Sequence, residues 1–136
     1  MPGPRVYTIE EVNELVPRLR RTFDNIEKIK VLLRGLNIRI SALELIWGMR
    51  VHELDCPDHL EFNHHLEEMK LLEDDVERWT KRITRLGGHV KSIDPPLVDF
   101  YGVRAGRLVY WCWRRGEESI EHWHQIDEGF ASRQRV

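Results

Sequence analysis

The chain has 136 residues, the length of one domain, with ordinary apolar content and a formal net charge of -2 at pH 7. This balance of charge predicts no basic face, so we expect no nucleic-acid partner. No apolar run approaches the roughly 20 residues of a membrane-spanning helix, and the first residues lack the apolar core of a signal peptide. Because the two cysteines, Cys56 and Cys112, lie in different predicted elements, we expect a reduced, cytoplasmic protein that does not bind membranes.

The first predicted element is a long helix from Thr8 to about Leu54. Apolar residues recur there in alternating steps of three and four, the pattern of a helix packed lengthwise on another helix. The row, with two polar members, is Val12, Leu15, Leu19, Thr22, Ile26, Ile29, Leu33, Leu36, Ile40, Leu43, Trp47, Arg50 and Leu54. Thr8 and Glu11 match a capping box at its start. Pro17 predicts a kink near Val16 rather than a break, since the row continues in phase.

The same helix carries a second apolar row, nearly opposite the first. Its members are Val31, Gly35, Ile38, Ala42, Leu45 and Met49. A helix that is apolar on two sides needs two partners, and the small residues Gly35 and Ala42 would let another backbone approach closely. Unless the C-terminal part of the chain covers it, this row predicts a homo-oligomer, most simply a homodimer, with these six residues at the interface.

A turn at residues 55–58 separates this helix from a second one. The second helix ends at Gly87-Gly88, because glycine tolerates the left-handed conformation of a C-terminal cap. Its apolar face is Phe62, Leu66, Met69, Leu72, Val76, Trp79, Ile83 and Leu86. Antiparallel pairing of the two helices would form a coiled-coil-like hairpin over residues 8–86, with three expected contacts: Trp47 with Leu66, Leu36 with Val76, and Ile26 with Leu86.

After Gly88 the pattern becomes that of short strands. We predict strands at residues 89–93, 97–101 and 107–114, separated by Pro95-Pro96 and by a turn at residues 103–106. Residues 119–124 form either a further strand, which we favour, or a helical turn. The sequence therefore predicts a single α+β domain over residues 1–136, with the helical hairpin at 8–86, a small antiparallel β-meander at 89–124 and an extended tail at 125–136.

Several short motifs, most of them C-terminal, carry a family resemblance. They are Tyr7-Thr8, Glu10-Glu11, Val98-Asp99-Phe100, Cys112-Trp113-Arg114, Gly116-Glu117, Trp123-His124, Gly129-Phe130 and Arg133. With this spacing the chain resembles domain-of-unknown-function family 2203, whose members are small, mostly bacterial proteins, over nearly its whole length. The resemblance implies no activity. One departure is that Ser132 stands where the family's ending resembles Gly-Phe-Ala-Gly-Arg, which brings into question any conformation there that only glycine adopts.

Two histidines near the end of the chain are the sharpest candidates for metal ligands. On a strand, residues two apart face the same side, so His122 and His124 could bind one divalent metal ion, with Cys112 or Glu117 as a third ligand. In the alternative reading His124 makes a structural hydrogen bond and His122 is exposed. Four further histidines crowd the helix turn, where we expect them to be solvated: His52, His59, His64 and His65.

A set of charged residues lies among the C-terminal aromatics. Asp99, Glu117 and His124 are candidates for acid–base catalysis, while Arg114 and Arg133 would hold an anion. The alternative is a buried brace in which Asp99 pairs with one of the two arginines. The sequence thus leaves two functions open: a structural or interaction module that self-associates through its long helices, or a small metal-dependent or acid–base enzyme that uses this cluster.

Overall fold

A computed structural model describes residues 4–136 and shows an α+β chain, with the helices first and one antiparallel sheet after them. The helices are α1 (Ile9–Asn13), α2 (Val16–Trp47), continued by a 3-10 helix (Gly48–His52), and α3 (His59–Arg85). The strands are β1 (Gly88–Ile93), β2 (Pro96–Arg104), β3 (Arg107–Arg114), β4 (His122–Gln125) and β5 (Gln134–Arg135). They lie in the order β1-β2-β3-β4-β5, each antiparallel to the next. Among the described residues, no helix combines the length and apolar composition of a membrane span.

The start of the long helical segment follows the local signals in the sequence. Thr8 caps α1: its hydroxyl accepts from the Glu11 amide at 3.1 Å, and the Glu11 carboxylate accepts from the Thr8 amide at 2.9 Å. A turn at residues 14–15 separates α1 from α2, which begins at Val16, so the long helical segment bends there and continues. The capping box and the kink are therefore both confirmed.

The chain divides into two compact units, of which the first combines the segment up to Asp24 with the chain from Trp79 onward. In this unit the early helical residues pack on the sheet, which the predicted row did not anticipate. The Phe23 ring lies 5.8 Å from the ring of Trp113 on β3, and the side chain of Asn13 accepts from the Ile120 amide at 2.6 Å. The most buried row here is therefore Val12, Val16, Leu19 and Phe23.

The second unit, Asn25–Arg78, holds a core around the end of α2. Its buried residues are Ile40, Leu43, Val51 and Phe62, with Trp47 and Met69 packed against them. The Trp47 indole nitrogen donates to the Asp58 carboxylate at 2.7 Å. The α-helix ends at Trp47, earlier than predicted, and Leu54 is 90% exposed. The predicted lengthwise pairing of the two helices stays a prediction.

The histidines near the helix turn are not all solvated, which corrects the expectation from the sequence. His59 and His65 are buried, whereas His52 and His64 are exposed. The Nδ1 of His59 donates to the Val51 carbonyl oxygen at 2.9 Å, so this histidine has a structural role at the end of the 3-10 helix.

The sheet agrees with the predicted meander but extends further. β3 has the predicted bounds, and β2 continues to Arg104 before a two-residue turn in which Ala105 and Gly106 both have positive φ. Residues 122–125 form a strand rather than a helical turn. The predicted tail is wrong in part, because it contains a 3-10 helix (Phe130–Ser132) and the strand β5. Ser132 lies in that 3-10 helix without a positive φ, so its place needs no glycine.

Candidate functional site

One face of the sheet collects the polar residues of three neighbouring strands. Asp99 on β2 pairs with Cys112 on β3, which pairs with His122 on β4, and Tyr110 pairs with His124. Directly paired residues in an antiparallel sheet point to the same side, as do residues two apart. These five side chains therefore share the face opposite the one on which Trp113 meets Phe23.

A buried carboxylate–imidazole pair lies at the centre of this face. The Nε2 of His124 is 3.0 Å from Oδ2 of Asp99, and the two residues are 1% and 3% exposed. The Nδ1 of His124 lies 2.8 Å from the backbone oxygen of Gln125. Because a carbonyl oxygen only accepts, Nδ1 must carry a hydrogen. Nε2 and the carboxylate then share the remaining proton, an arrangement suited to proton transfer or to metal binding.

Cys112 completes a group of three possible metal ligands. One ligand atom from each of Asp99, Cys112 and His124 lies within 4.8 Å of the other two, and all three residues are buried. Burial, reinforced by the charge of Asp99, raises the pKa of the Cys112 thiol to about 12. The thiol is therefore protonated at neutral pH and is not an activated nucleophile.

A second polar group surrounds the Glu117 carboxylate at the turn after β3. Arg133 donates to Oε1 at 3.0 Å and lies 2.9 Å from Oε2, and the backbone amide of Arg114 donates to Oε1 at 2.7 Å. His122 Nδ1 is 3.6 Å from Oε2. Burial opposes the charge of Arg133, but the hydrogen bonds to Glu117 outweigh it and raise the pKa of Arg133. This pair fixes the tail to the sheet.

Cys112 belongs to the first group, and its thiol also responds to the second, since the charge of Asp99 raises its pKa and the charge of Arg133 lowers it. We call the residues of the two groups together the polar chain: His124, Asp99, Cys112, Arg133, Glu117 and His122.

Most of the residues that the sequence singled out as a candidate site lie in this chain, and Arg114 does not. Its guanidinium is 5.7 Å from the Phe130 ring, which Arg133 also faces at 4.2 Å. The predicted brace is corrected in its partners, because Asp99 pairs with His124 and Arg133 pairs with Glu117. His122 faces Glu117 and lies outside the group of three possible ligands.

Residues of β1 and β2 that sequence reasoning missed flank the site. His89 pairs with Asp99 in the register and lies 4.7 Å from the Tyr101 ring, which stacks on Tyr110 at 5.0 Å. Burial, and then the charge of Lys91, lowers the pKa of His89. Strand alternation alone places Tyr101 on the face of Asp99, since both lie on β2, whereas His89 is placed beside Asp99 only by the register of β1 with β2, which the sequence does not supply.

Comparison with known proteins identifies a family without assigning an activity. A family model described as an uncharacterized conserved protein, DUF2203, matches residues 5–136. This match confirms the resemblance that the motifs indicate. No curated protein and no solved structure matches the chain.

Proposed function

Since this chain belongs to the uncharacterised protein family DUF2203, whose description names no activity, we propose a function from its own geometry: it is an interaction module that self-associates through the second apolar row of its long helix. The observation that carries the proposal is the exposure of that row. Val31, Ile38, Leu45 and Met49 are between 54% and 87% exposed. A continuous apolar stripe in water is costly and is typical of a binding surface.

The spacing of the row favours a second copy of this chain as the partner. The six positions 31, 35, 38, 42, 45 and 49 are separated by steps of four, three, four, three and four. This series is the same in both directions, so two copies can pair antiparallel about a twofold axis near residue 40. Such an isologous contact closes on itself and gives a dimer.

The sizes of the side chains agree with this register. Antiparallel pairing about residue 40 sets Gly35 against Leu45 and Ala42 against Ile38, a small residue against a large one each time. Pairing large with small side chains lets two helices approach and interdigitate. Two further exposed apolar residues, Leu32 and Ile46, flank the row and would face each other across the contact.

The length of the stripe limits the strength of the contact. Met49 lies in the 3-10 helix after α2. From Val31 to Leu45, fourteen residue steps of about 1.5 Å make a stripe about 21 Å long, and a helix is about 10 Å wide. The footprint of roughly 210 Å² is well below the about 800 Å² per partner of a stable interface. We therefore expect a dimer that forms with rising concentration rather than an obligate one.

Within residues 25–78 we also propose that the helices pair lengthwise as an antiparallel hairpin that presents this stripe outward. Leu36, Ile40 and Leu43 of the first row are buried, and Phe62 of α3 shares a core with Ile40 and Leu43. The first row is then used inside one chain, which leaves the second row for the partner.

Sedimentation equilibrium over micromolar to millimolar concentrations tests the self-association. We expect the wild-type protein to shift from monomer to dimer and Ala42→Glu to remain monomeric, because the substitution places a carboxylate in an apolar contact. Asn37→Glu is the matched control, since it adds the same charge at an exposed position on α2 outside both rows. A wild-type protein that stays monomeric throughout would overturn the proposal.

A mixing experiment tests the antiparallel register itself. Ile38→Lys should also be monomeric alone. In a mixture with Ala42→Glu, the new ammonium at position 38 would face the new carboxylate at position 42, and the unchanged Ile38 and Ala42 would meet at the symmetric site. Dimer that forms only in the mixture supports the register, whereas a mixture that remains monomeric contradicts it.

The alternative function, a small metal-dependent or acid–base enzyme, stays a prediction. The observation that favours it is the buried pair of Asp99 and His124, and uptake of a metal ion by the folded protein is a first measurement that tests it.

A further inference from the structure

We propose that Asp99, Cys112 and His124 together bind one divalent transition-metal ion of the zinc class. This site shares only His124 with the pair of histidines that the sequence suggested. It is independent of the apolar stripe on α2, so it stands or falls separately from self-association.

The donor atoms define the class of ion. An imidazole nitrogen, a thiolate sulfur and a carboxylate oxygen are the three donor types that Zn²⁺ accepts, and three protein ligands leave a fourth position open. Magnesium and calcium prefer oxygen ligands throughout, and a thiolate favours the softer ions. The set therefore fits Zn²⁺ or Co²⁺ rather than Mg²⁺ or Ca²⁺.

The distances between the donor atoms suit one shared ion. Metal–ligand bonds of about 2.0–2.3 Å in a tetrahedron place the donor atoms roughly 3.3–3.7 Å apart. In the structure the His124 nitrogen and the Asp99 oxygen are 3.0 Å apart, and the three donor atoms lie within 4.8 Å of one another. Shifts of about 1 Å or less at the donor atoms would bring all three onto a common ion.

The surroundings hold the ligands in place. The Nδ1–H of His124 donates to the Gln125 carbonyl oxygen at 2.8 Å, which fixes the ring and directs the Nε2 lone pair toward Asp99. Metal-binding histidines regularly donate their second nitrogen in this way. Each ligand also stands on a different strand, β2, β3 or β4, of one hydrogen-bonded sheet. The backbone that carries the site is therefore rigid.

The charges balance when an ion of charge +2 is bound. The ion forms bonds to sulfur, nitrogen and oxygen, and it releases the thiol proton and the proton shared by Asp99 and His124 to water. The thiolate and the carboxylate then neutralise the ion. The nearby guanidinium of Arg133 is already paired with Glu117 at 2.9 Å, so it does not add an uncompensated positive charge beside the site.

Titration of the folded, metal-free full-length chain with Co²⁺ tests the proposal, because cobalt bound to a thiolate shows a charge-transfer absorption in the near ultraviolet. We expect one equivalent to bind with this absorption and Zn²⁺ to displace it. Cys112→Ser should lose the absorption, and Asp99→Asn should lower the affinity for Co²⁺ by at least about 10-fold. Cys56→Ser is the matched control, since Cys56 is the other buried free cysteine. His122→Gln should also leave binding unchanged.

The titration of the wild-type protein tests the proposal even if a variant of one of the ligands fails to fold. A folded wild-type protein, verified by circular dichroism, that shows no thiolate–cobalt absorption at saturating Co²⁺ overturns the proposal. So does an absorption that persists in Cys112→Ser, or one that disappears in folded Cys56→Ser or His122→Gln, because each result places the ion elsewhere.

Discussion

Replacing Gly102 with alanine would place a methyl group inside the indole of Trp111. A Cβ atom at Gly102 would lie 2.0 Å from Nε1 and 2.3 Å from Cε2 of that ring. The indole is buried, and its Nε1 donates to the Tyr7 backbone oxygen at 2.8 Å. The ring therefore cannot move aside without giving up this hydrogen bond, which ties the N-terminal segment to the sheet.

The expected loss of stability follows from the distance that the Trp111 ring must move. The ring must move by about 1.4 Å to restore an ordinary contact of 3.4 Å. Losing the hydrogen bond costs about 0.5–1.5 kcal/mol, and overpacking a well-packed site costs about 1–3 kcal/mol. We expect Gly102→Ala to lower the free energy of unfolding by about 1.5–4.5 kcal/mol, a large part of the about 5–15 kcal/mol of a typical domain.

Urea denaturation followed by tryptophan fluorescence measures this loss. The matched control is Gly129→Ala, because Gly129 has an extended backbone with φ of -128° and, apart from its two chain neighbours, none of the described residues comes within 4 Å of an added Cβ. Both substitutions reduce the entropy of the unfolded chain by a similar amount, about 0.4–1 kcal/mol, so the difference between them isolates the steric cost. A difference below about 0.5 kcal/mol would refute the reasoning.

Three further predictions concern the helices. Leu36→Ala, at a residue only 3% exposed, should lose about 2–5 kcal/mol in urea, and a loss below about 0.5 kcal/mol would mean that the first row is not a packing surface. His59→Phe should lose about 1–3 kcal/mol in the same assay, because the Val51 carbonyl oxygen loses its donor; an unchanged stability would contradict that role. Hydrogen bonds from the backbone and then from the side chain of Thr8 lower the pKa of the Glu11 carboxyl below 4.5. The ionised carboxylate therefore stabilises the cap fully above pH 4.5. This stabilisation is lost as the pH falls through the lower pKa that Glu11 has in the folded state. An NMR titration should therefore place the titration midpoint of Glu11 below 4.5. In Thr8→Ala, which keeps the backbone donor, the midpoint should rise only part of the way toward 4.5. A wild-type midpoint at or above 4.5 would contradict this.

The candidate site shows where reasoning from the sequence succeeds and where it stops. Strand alternation placed Asp99 on the face opposite Val98 and Phe100, and the motifs drew attention to Glu117, His124 and Arg133. The pairing was not predictable, because a slip of one residue in the register turns every side chain of a strand to the other face. Cys112 appeared in the sequence only as an optional third ligand, and its position between Asp99 and Arg133 depends on the register of β2 with β3.

The sequence by itself determined the features that act over a few residues. The cap at Thr8, the kink before Pro17, the end of α3 at Arg85 before Gly87, where φ is positive, and the bounds of β3 each depend on neighbours within about one helical turn or along one strand. Tertiary structure alone decided that the first part of the long helix packs on the sheet through Phe23, that the tail adds the strand β5, and that Asp99 pairs with His124. The physical reason is that these contacts join residues 11 or more positions apart, and their free energy depends on which surfaces meet, which local patterns do not encode.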